Sequence, residues 1–325
     1  MSEVLLSIEN LVTRFYTELG VVRAVDGNSL QLGEQESLGV VGESGSGKTV
    51  TALSVMRLIE NPGRIEGGRI LFRGEDLLRK TERQMRAIRG KDIAMVFQDS
   101  LSSLNPTLTI GEQICRVLKF HLGLSHRERW QRAVELLAQV GIPEPERRVK
   151  HYPHQFSGGM RQRALIAMAI SCSPQLLILD EPTTALDVTI EAQIFELVEG
   201  LKQAFGMGTF LITHDLSVVA TFCDRVVIMY AGKIVEEAPV TELYDRPLHP
   251  YTRGLLGSIP PLEGGKDRLD SIPGEVPDLI NLPPGCNFSP RCQQAGERCW
   301  REEPPLEAPA PGRRVACWKA GEPDG

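Results

Sequence analysis

The chain has 325 residues, of which 42% are apolar and 24% charged, and a formal net charge of −6. Such a length and composition suit one large domain with an appendage, and the acidic balance speaks against a nucleic-acid binder, which would show a basic stripe. No apolar run approaches the roughly 20 residues that cross a bilayer, and the start, MSEVLLSIENL, has acids where a signal peptide needs bases, so a cytosolic chain is expected.

From Ile8 to about Ala238, strand-like and helix-like segments alternate, which predicts an α/β domain around a mostly parallel sheet. ESLGVVG (residues 36–42) reads as a buried strand entering a glycine loop, and TVTALSVMRLI (49–59) as the helix that follows. DIAMVFQ (92–98), LLILD (176–180) and TFLIT (209–213) are further short apolar strands. Between the first two lie IGEQICRVLKFHLGL (110–124) and HRERWQRAVELLAQV (126–140), both with helical spacing of apolar positions, so a helical subdomain is expected over about 105–172. RVVIMYAGKIVEEA (225–238) reads as a strand pair around Ala231 and Gly232, an antiparallel edge to the sheet, and VTELYDR and YTRGLLGSI as short helices closing the domain. Beyond residue 260 the composition changes. Twelve of the 22 prolines fall between Pro260 and the C-terminus, so residues 261–325 cannot build much of a core unaided.

The chemistry begins at GESGSGKT, residues 42–49, which matches G-x-x-x-x-G-K-[ST] between a predicted strand and a predicted helix. Gly42, Gly45 and Gly47, with Ser44 and Ser46, let backbone N–H groups wrap phosphates; Lys48 neutralises the β- and γ-groups, and the Thr49 hydroxyl suits Mg²⁺. LLILDEP (176–182) ends an apolar strand in two acids, Asp180 to hold Mg²⁺ and Glu181 to polarise an attacking water as general base. Gln98, at another strand end, is placed to touch Mg²⁺ and that water, and His214 to hydrogen-bond the γ-phosphate. FSGGMRQR (156–163) is a second anion site, with the N–H groups of Ser157, Gly158 and Gly159 at a helix N-terminus.

The ordered set GESGSGKT, Gln98, FSGGMRQR, LLILDEP, TTALD and LITHD resembles the nucleotide-binding subunit of ATP-binding-cassette (ABC) transporters over about residues 4–260. The resemblance implies a P-loop NTPase (RecA-like) core with an inserted helical signature subdomain over residues 1–260. Ser157, Gly158, Gly159 and Met160 are then the signature motif, departing from the commonest LSGGQ at Phe156 and Met160 but keeping the serine and both glycines. Residues 184–187, with Ala185, Leu186 and Asp187, resemble the D-loop, and Phe15 or Tyr16 matches the aromatic that stacks on adenine. In such proteins the signature helix caps the ATP of the opposite subunit in a head-to-tail pair, which answers why one chain carries two anion sites.

PLHPYTRGLLGSIP, IPGEVPDLINLPPGCNFSPRC and the late VACW extend the resemblance over nearly the whole chain, to the ATPase subunits of bacterial oligopeptide, dipeptide and nickel importers. That likeness implies a paralogous second ATPase, two transmembrane permease subunits, an extracytoplasmic solute-binding protein as indirect partner, and a place on the cytoplasmic face of the inner membrane. The cargo it implies is a di- or oligopeptide or a related solute such as nickel or glutathione. Cys286, Cys292, Cys299 and Cys317 have spacings C-x5-C-x6-C-x17-C, and no histidine follows His249, so a metal site here is all-thiolate. Without the C-x2-C knuckles usual for Zn²⁺, the pattern and the resemblance both point to a [4Fe–4S] cluster with a structural role, Zn²⁺ being the alternative.

Overall fold

The computed structural model describes residues 3–99, 103–184, 186–258 and 272–320. Its strands, in chain order, are β1 (Val4–Thr17), β2 (Gly20–Gly33), β3 (Ser37–Val41), β4 (Gly63–Phe72), β5 (Glu75–Asp76) and β6 (Ile93–Val96), then β7 (Leu176–Asp180), β8 (Gly208–Thr213), β9 (Arg225–Tyr230), β10 (Lys233–Pro239), β11 (Glu307–Ala310) and β12 (Arg313–Val315). The chain divides into two compact units. One, here the phosphate-loop unit, holds residues 6–32, 37–78 and 212–325; the other, the acid-pair unit, holds 1–5, 33–36 and 79–211.

In the phosphate-loop unit, β1, β2, β4 and β5 form a sheet in the order β2-β1-β4-β5. Its β1–β4 pairing is antiparallel, with Leu6 opposite Phe72 and Ile8 opposite Ile70, all four buried. A second run of strands has the order β11-β12-β10-β9-β3. β3 pairs parallel with β9, Leu38 opposite Arg225 through Val41 opposite Ile228. β9 turns back into antiparallel β10 at Ala231 and Gly232, whose φ angles of 44° and 82° give the twist a two-residue hairpin favours. Leu38, Val40 and Val41 are buried, each contributing roughly 1.5–3 kcal/mol, which makes β3 a firm base for the loop that follows it.

The proline-rich tail gains its order by borrowing. β12 pairs antiparallel with β10, Glu236 opposite Val315, so the tail closes a sheet edge that the main domain provides. Arg313 reaches the fully buried Glu236 at 3.1 Å, Arg314 pairs with Glu237, and Phe288 inserts against Tyr230 and Tyr251 with ring centroids 5.1 and 5.4 Å away. The expectation that this segment lacks a core of its own agrees with that arrangement.

In the acid-pair unit, β6 pairs parallel with β7. The helices Ile110–Leu122 and His126–Gln139 follow the expected amphipathic segments, and each starts at a capping box, Thr109 with Glu112 and Ser125 with Glu128. Ile110, Ile114 and Leu118, four residues apart on one face, are buried, which is the periodicity that marked the segment as a helix. Among the described residues no helix is long and apolar enough to cross a membrane.

Candidate nucleotide site

β3 delivers the chain into the glycine loop, and the helix Lys48–Val55 takes it out. Gly47 has φ 100°, and a Cβ there would stand 2.2 Å from the Ala24 carbonyl oxygen, so no other residue fits that bend without moving backbone. Lys48 is 5% exposed and its ammonium is held inside the loop, donating to the carbonyl oxygens of Gly42 at 2.7 Å and Glu43 at 3.0 Å. A buried cation needs such acceptors, and phosphate oxygens in the same place would satisfy it better. Ser46 is buried and its carbonyl accepts from the Gly232 N–H at 3.1 Å, while Ser44 and Gly45 face solvent.

In the acid-pair unit all five residues of β7 are buried, Asp180 included at 2% exposure. The next residue, Glu181, has φ 44°, a left-handed conformation that costs a non-glycine residue about 1–3 kcal/mol and is found mostly where function demands it. Its carboxylate accepts from the Gln98 amide at 2.8 Å and from the Thr184 hydroxyl at 3.2 Å. Two residues 83 positions apart, singled out separately in the sequence, thus meet.

Ser157 caps the helix Gly158–Ala169, its hydroxyl accepting from the Met160 N–H at 3.3 Å. Gly159 faces the next helix, Val188–Phe205, so closely that a Cβ would lie 2.9 Å from Ile190 Cγ2. Asp187 caps that second helix through the Ile190 N–H at 2.9 Å, and Leu186 lies beside Gly158. Gly158, Gly159, Leu186 and Asp187 are therefore packed together at two adjacent helix starts. Ala185 lies outside the described residues.

The sequence profile of the ABC transporter family matches residues 25–184, and that of the oligopeptide/dipeptide transporter C-terminal region matches residues 235–299. The chain is 50% identical to the oligopeptide transport ATP-binding protein AppD of Bacillus subtilis, over 97% of this chain and 96% of that one. This chain belongs to the ATP-binding subunits of ABC transporters. To the dipeptide transport ATP-binding protein DppD of Escherichia coli it is 48% identical over 96% of each chain. In structure it is similar to the dimeric ATP-binding cassette MJ0796 in a post-hydrolysis state bound to ADP and Pi, with a TM-score of 0.66, 27% identity, and coverage of 72% of this chain and 98% of that one. An ABC ATP-binding subunit is an ATPase whose turnover is coupled to transport, and ATP and Mg²⁺ are what the family implies as ligands. The expected P-loop NTPase fold is the fold of these cassettes.

Other residues expected in an ABC site are placed as follows. His214 follows β8 and is exposed; Asp215 beside it caps the helix Leu216–Phe222 through the Ser217 N–H at 2.7 Å. Phe15 is half-buried, its ring against the position a Gly63 side chain would take, whereas Tyr16 is exposed, hydrogen-bonded to Glu66 and 5.6 Å beneath the Arg64 guanidinium. The sequence reading missed Glu43, Tyr251 and Arg291, which meet at the phosphate loop. Only the position of Glu43 inside the glycine motif could have drawn attention to them.

Cys286, Cys292, Cys299 and Cys317 all line one cavity of about 20 Å³, together with His249 and Phe288. Burial pushes the Cys286 thiol up to about 12 and the Cys317 thiol up to about 11, so these groups stand as neutral thiols. Among the described residues no group of three or more His, Cys, Asp or Glu side chains could hold a metal ion, and the cavity has room for about one water, not for a four-iron cluster. The four thiols converge on one cavity, without the spacing of a metal-holding group among the described residues.

Proposed function

We propose that this chain is the ATPase of a peptide-type importer, working head-to-tail with a second such ATPase, a paralogue, beneath two transmembrane permease subunits at the cytoplasmic face of the membrane. The observation that carries the reading is identity of about half over nearly the entire length, tail included, with oligopeptide and dipeptide transport ATP-binding proteins. An extracytoplasmic binding protein would select the cargo, a di- or oligopeptide or a chemically related solute. The domain reading that accompanies it is an ATPase domain of residues 1–260, with a helical subdomain over about 105–172, and an extension of 261–325.

The residues take these roles. Lys48 leaves the carbonyls of its own loop for the β- and γ-phosphates, which the N–H groups of residues 42–49 surround. Phe15 or Tyr16 supplies the adenine platform, and the exposed ring of Tyr16 supports the latter. Thr49, Asp180 and Gln98 hold Mg²⁺, which when bound neutralises charge on the phosphate oxygens. Glu181 takes a proton from the attacking water once its bond to Gln98 is exchanged for that water, and His214 donates to the γ-phosphate. Ser157, Gly158, Gly159 and Met160 cap the partner's ATP with the N-terminal N–H groups of their helix, and Ala185, Leu186 and Asp187 link the two sites. ATP thereby closes the pair, and loss of phosphate opens it, a movement the permease subunits follow.

For the tail we propose that the four cysteines ligate a [4Fe–4S] cluster. Their convergence on one cavity supports a shared centre, and the C-x5-C-x6-C-x17-C spacing, which lacks the C-x2-C knuckles usual for Zn²⁺, favours the cluster over zinc. The cavity must widen and the thiols must lose protons for it to bind.

Purification of the tagged chain from its native membrane tests the main reading: two polytopic proteins and a second ATPase should accompany it. Recovery of a monomer that hydrolyses ATP at full rate, independent of concentration, would remove transport coupling. Anaerobic preparations should contain about four irons per chain with matching labile sulfide. Iron-free, zinc-loaded protein sinks the cluster proposal.

A further inference from the structure

Glu43, the second residue of the glycine motif, is fixed from three directions, and two of the three lead to the C-terminal part of the same unit. Its backbone N–H donates to the Tyr251 hydroxyl at 3.0 Å. Its carboxylate receives both ends of the Arg291 guanidinium, Nη1 at 2.6 Å and Nη2 at 3.1 Å. Its carbonyl accepts from the Lys48 ammonium at 3.0 Å and from the Ser46 N–H at 3.2 Å. One peptide unit therefore connects a tail arginine, 248 positions away, to the lysine that meets the phosphates.

Arg291 is itself immobilised. It is 7% exposed; Nε donates to the Pro273 carbonyl at 2.9 Å, Nη2 to the Ile272 carbonyl at 3.4 Å, and the guanidinium carbon lies 5.8 Å from the Tyr230 ring centroid. It sits at the end of the turn Ser289–Arg291, between Cys286 and Cys292. An exposed ion pair would do little here, since water competes and side-chain entropy is lost on forming it. A bidentate pair whose arginine is withdrawn from water holds both distance and angle.

We infer that Arg291 is a positioning residue for ATP, acting through Glu43 on the loop that seats Lys48. Two physical effects follow from the geometry. The loop is ordered before nucleotide arrives, so less freedom is lost on binding. Arg291 also neutralises a carboxylate that would otherwise stand, negative, at the mouth of an anion site. The inference builds on the phosphate loop as the ATP site and goes beyond it, giving the tail a part in nucleotide affinity that its sheet pairing alone would not require.

The test is a double-mutant cycle on the full-length chain, read by titration with a fluorescent ATP analogue and Mg²⁺. Arg291→Gln should weaken binding about tenfold, equivalent to about 1.4 kcal/mol. Arg291→Lys, which keeps the charge and loses the fork, should fall between that variant and wild type. In a Glu43→Gln background the same Arg291→Gln change should alter affinity less than about twofold, because the route to Lys48 is already cut. An equal tenfold loss in both backgrounds would show that Arg291 acts through tail folding and would overturn the inference. Should Arg291→Gln fail to fold, Glu43→Gln decides alone: wild-type affinity in that variant overturns the clamp, and weaker binding at an unchanged melting temperature supports it. Wild-type chain that fails to bind the analogue would contradict the ATP site, a failure distinct from any of these. In the assembled transporter, the KM for ATP should rise in Arg291→Gln while kcat at saturating ATP stays within about twofold; a fall in kcat at constant KM would overturn the assignment.

Discussion

Lys48 and Glu181 are the two charged side chains given the binding and hydrolytic roles in the proposed function, and they are held in different ways. Lys48 is 5% exposed, donates to two backbone carbonyls and belongs to a loop pinned by Tyr251 and Arg291. Glu181 is half-buried at a left-handed φ of 44°, and its carboxylate accepts from Gln98 and Thr184, two exposed side chains. Backbone anchors move only if the fold moves, whereas exposed side-chain hydrogen bonds are each worth about 0.5–1.5 kcal/mol and exchange with water. On the proposed roles, the binding half is built in advance, and the hydrolytic half is set up so that its carboxylate can change partner.

The strongest way to break that contrast is at the carboxylate. Glu181→Gln keeps size and can still bond Gln98, but the amide cannot take a proton. Phosphate release by the assembled transporter should fall about 10²- to 10⁴-fold while nucleotide affinity holds. A loss of affinity as large as the loss of rate would mean that Glu181 belongs to the pre-built half after all.

Next in size is the tail's grip on the sheet edge. Glu236 is fully buried and accepts from Arg313 at 3.1 Å and from the N–H groups of Leu248 and His249 at 2.8 and 2.9 Å. Glu236→Gln leaves buried Arg313 only the half-exposed Glu242, 3.8 Å away, as counter-charge and should cost about 3–5 kcal/mol, seen as a lower urea midpoint. Adding Arg313→Met should restore part of it, because the stranded charge is then gone. If the single change costs under about 1 kcal/mol, water reaches this pair and the tail is held more loosely than the buried geometry requires. At the loop itself, Lys48→Ala should lower nucleotide affinity by about 1.5–3 kcal/mol, the value of one charge-assisted bond to phosphate, in the same fluorescent titration. Unchanged affinity would show that the backbone N–H groups alone hold ATP.

What could be read from sequence and what could not divide along similar lines. GESGSGKT, LLILDEP and FSGGMRQR each put a buried strand or a helix start next to the residues it positions, so a contiguous stretch carries both fold and chemistry. The capping boxes at Thr109 and Ser125 and the hairpin at Ala231 are local in the same sense. The Arg291 fork, the Tyr251 anchor and the β10–β12 pairing join residues 248, 208 and 77 or more positions apart, and no periodicity in either partner announces the other. The four cysteines fell between these cases. Their clustering was visible and they do share a cavity, but among the described residues they do not stand as a group that could hold a metal ion, and spacing along the chain does not report distance in space.

The smallest effect separates the helix cap that Ser157 makes from the anion contact proposed for it. The Ser157 hydroxyl accepts from the Met160 N–H at 3.3 Å, and Ser157→Ala should cost about 1 kcal/mol of stability through the lost cap. Ser157→Asp is the sharper variant. Aspartate caps at least as well, and its charge suits a helix N-terminus, so the melting temperature should match wild type to within a degree or two. The same charge would face the partner's triphosphate, so ATP-dependent pairing, followed by sedimentation of the hydrolysis-blocked Glu181→Gln chain with its partner ATPase, should be lost. If Ser157→Asp pairs as readily as Ser157, the serine is a helix cap and nothing more, and the second anion site must rest on the glycine N–H groups alone.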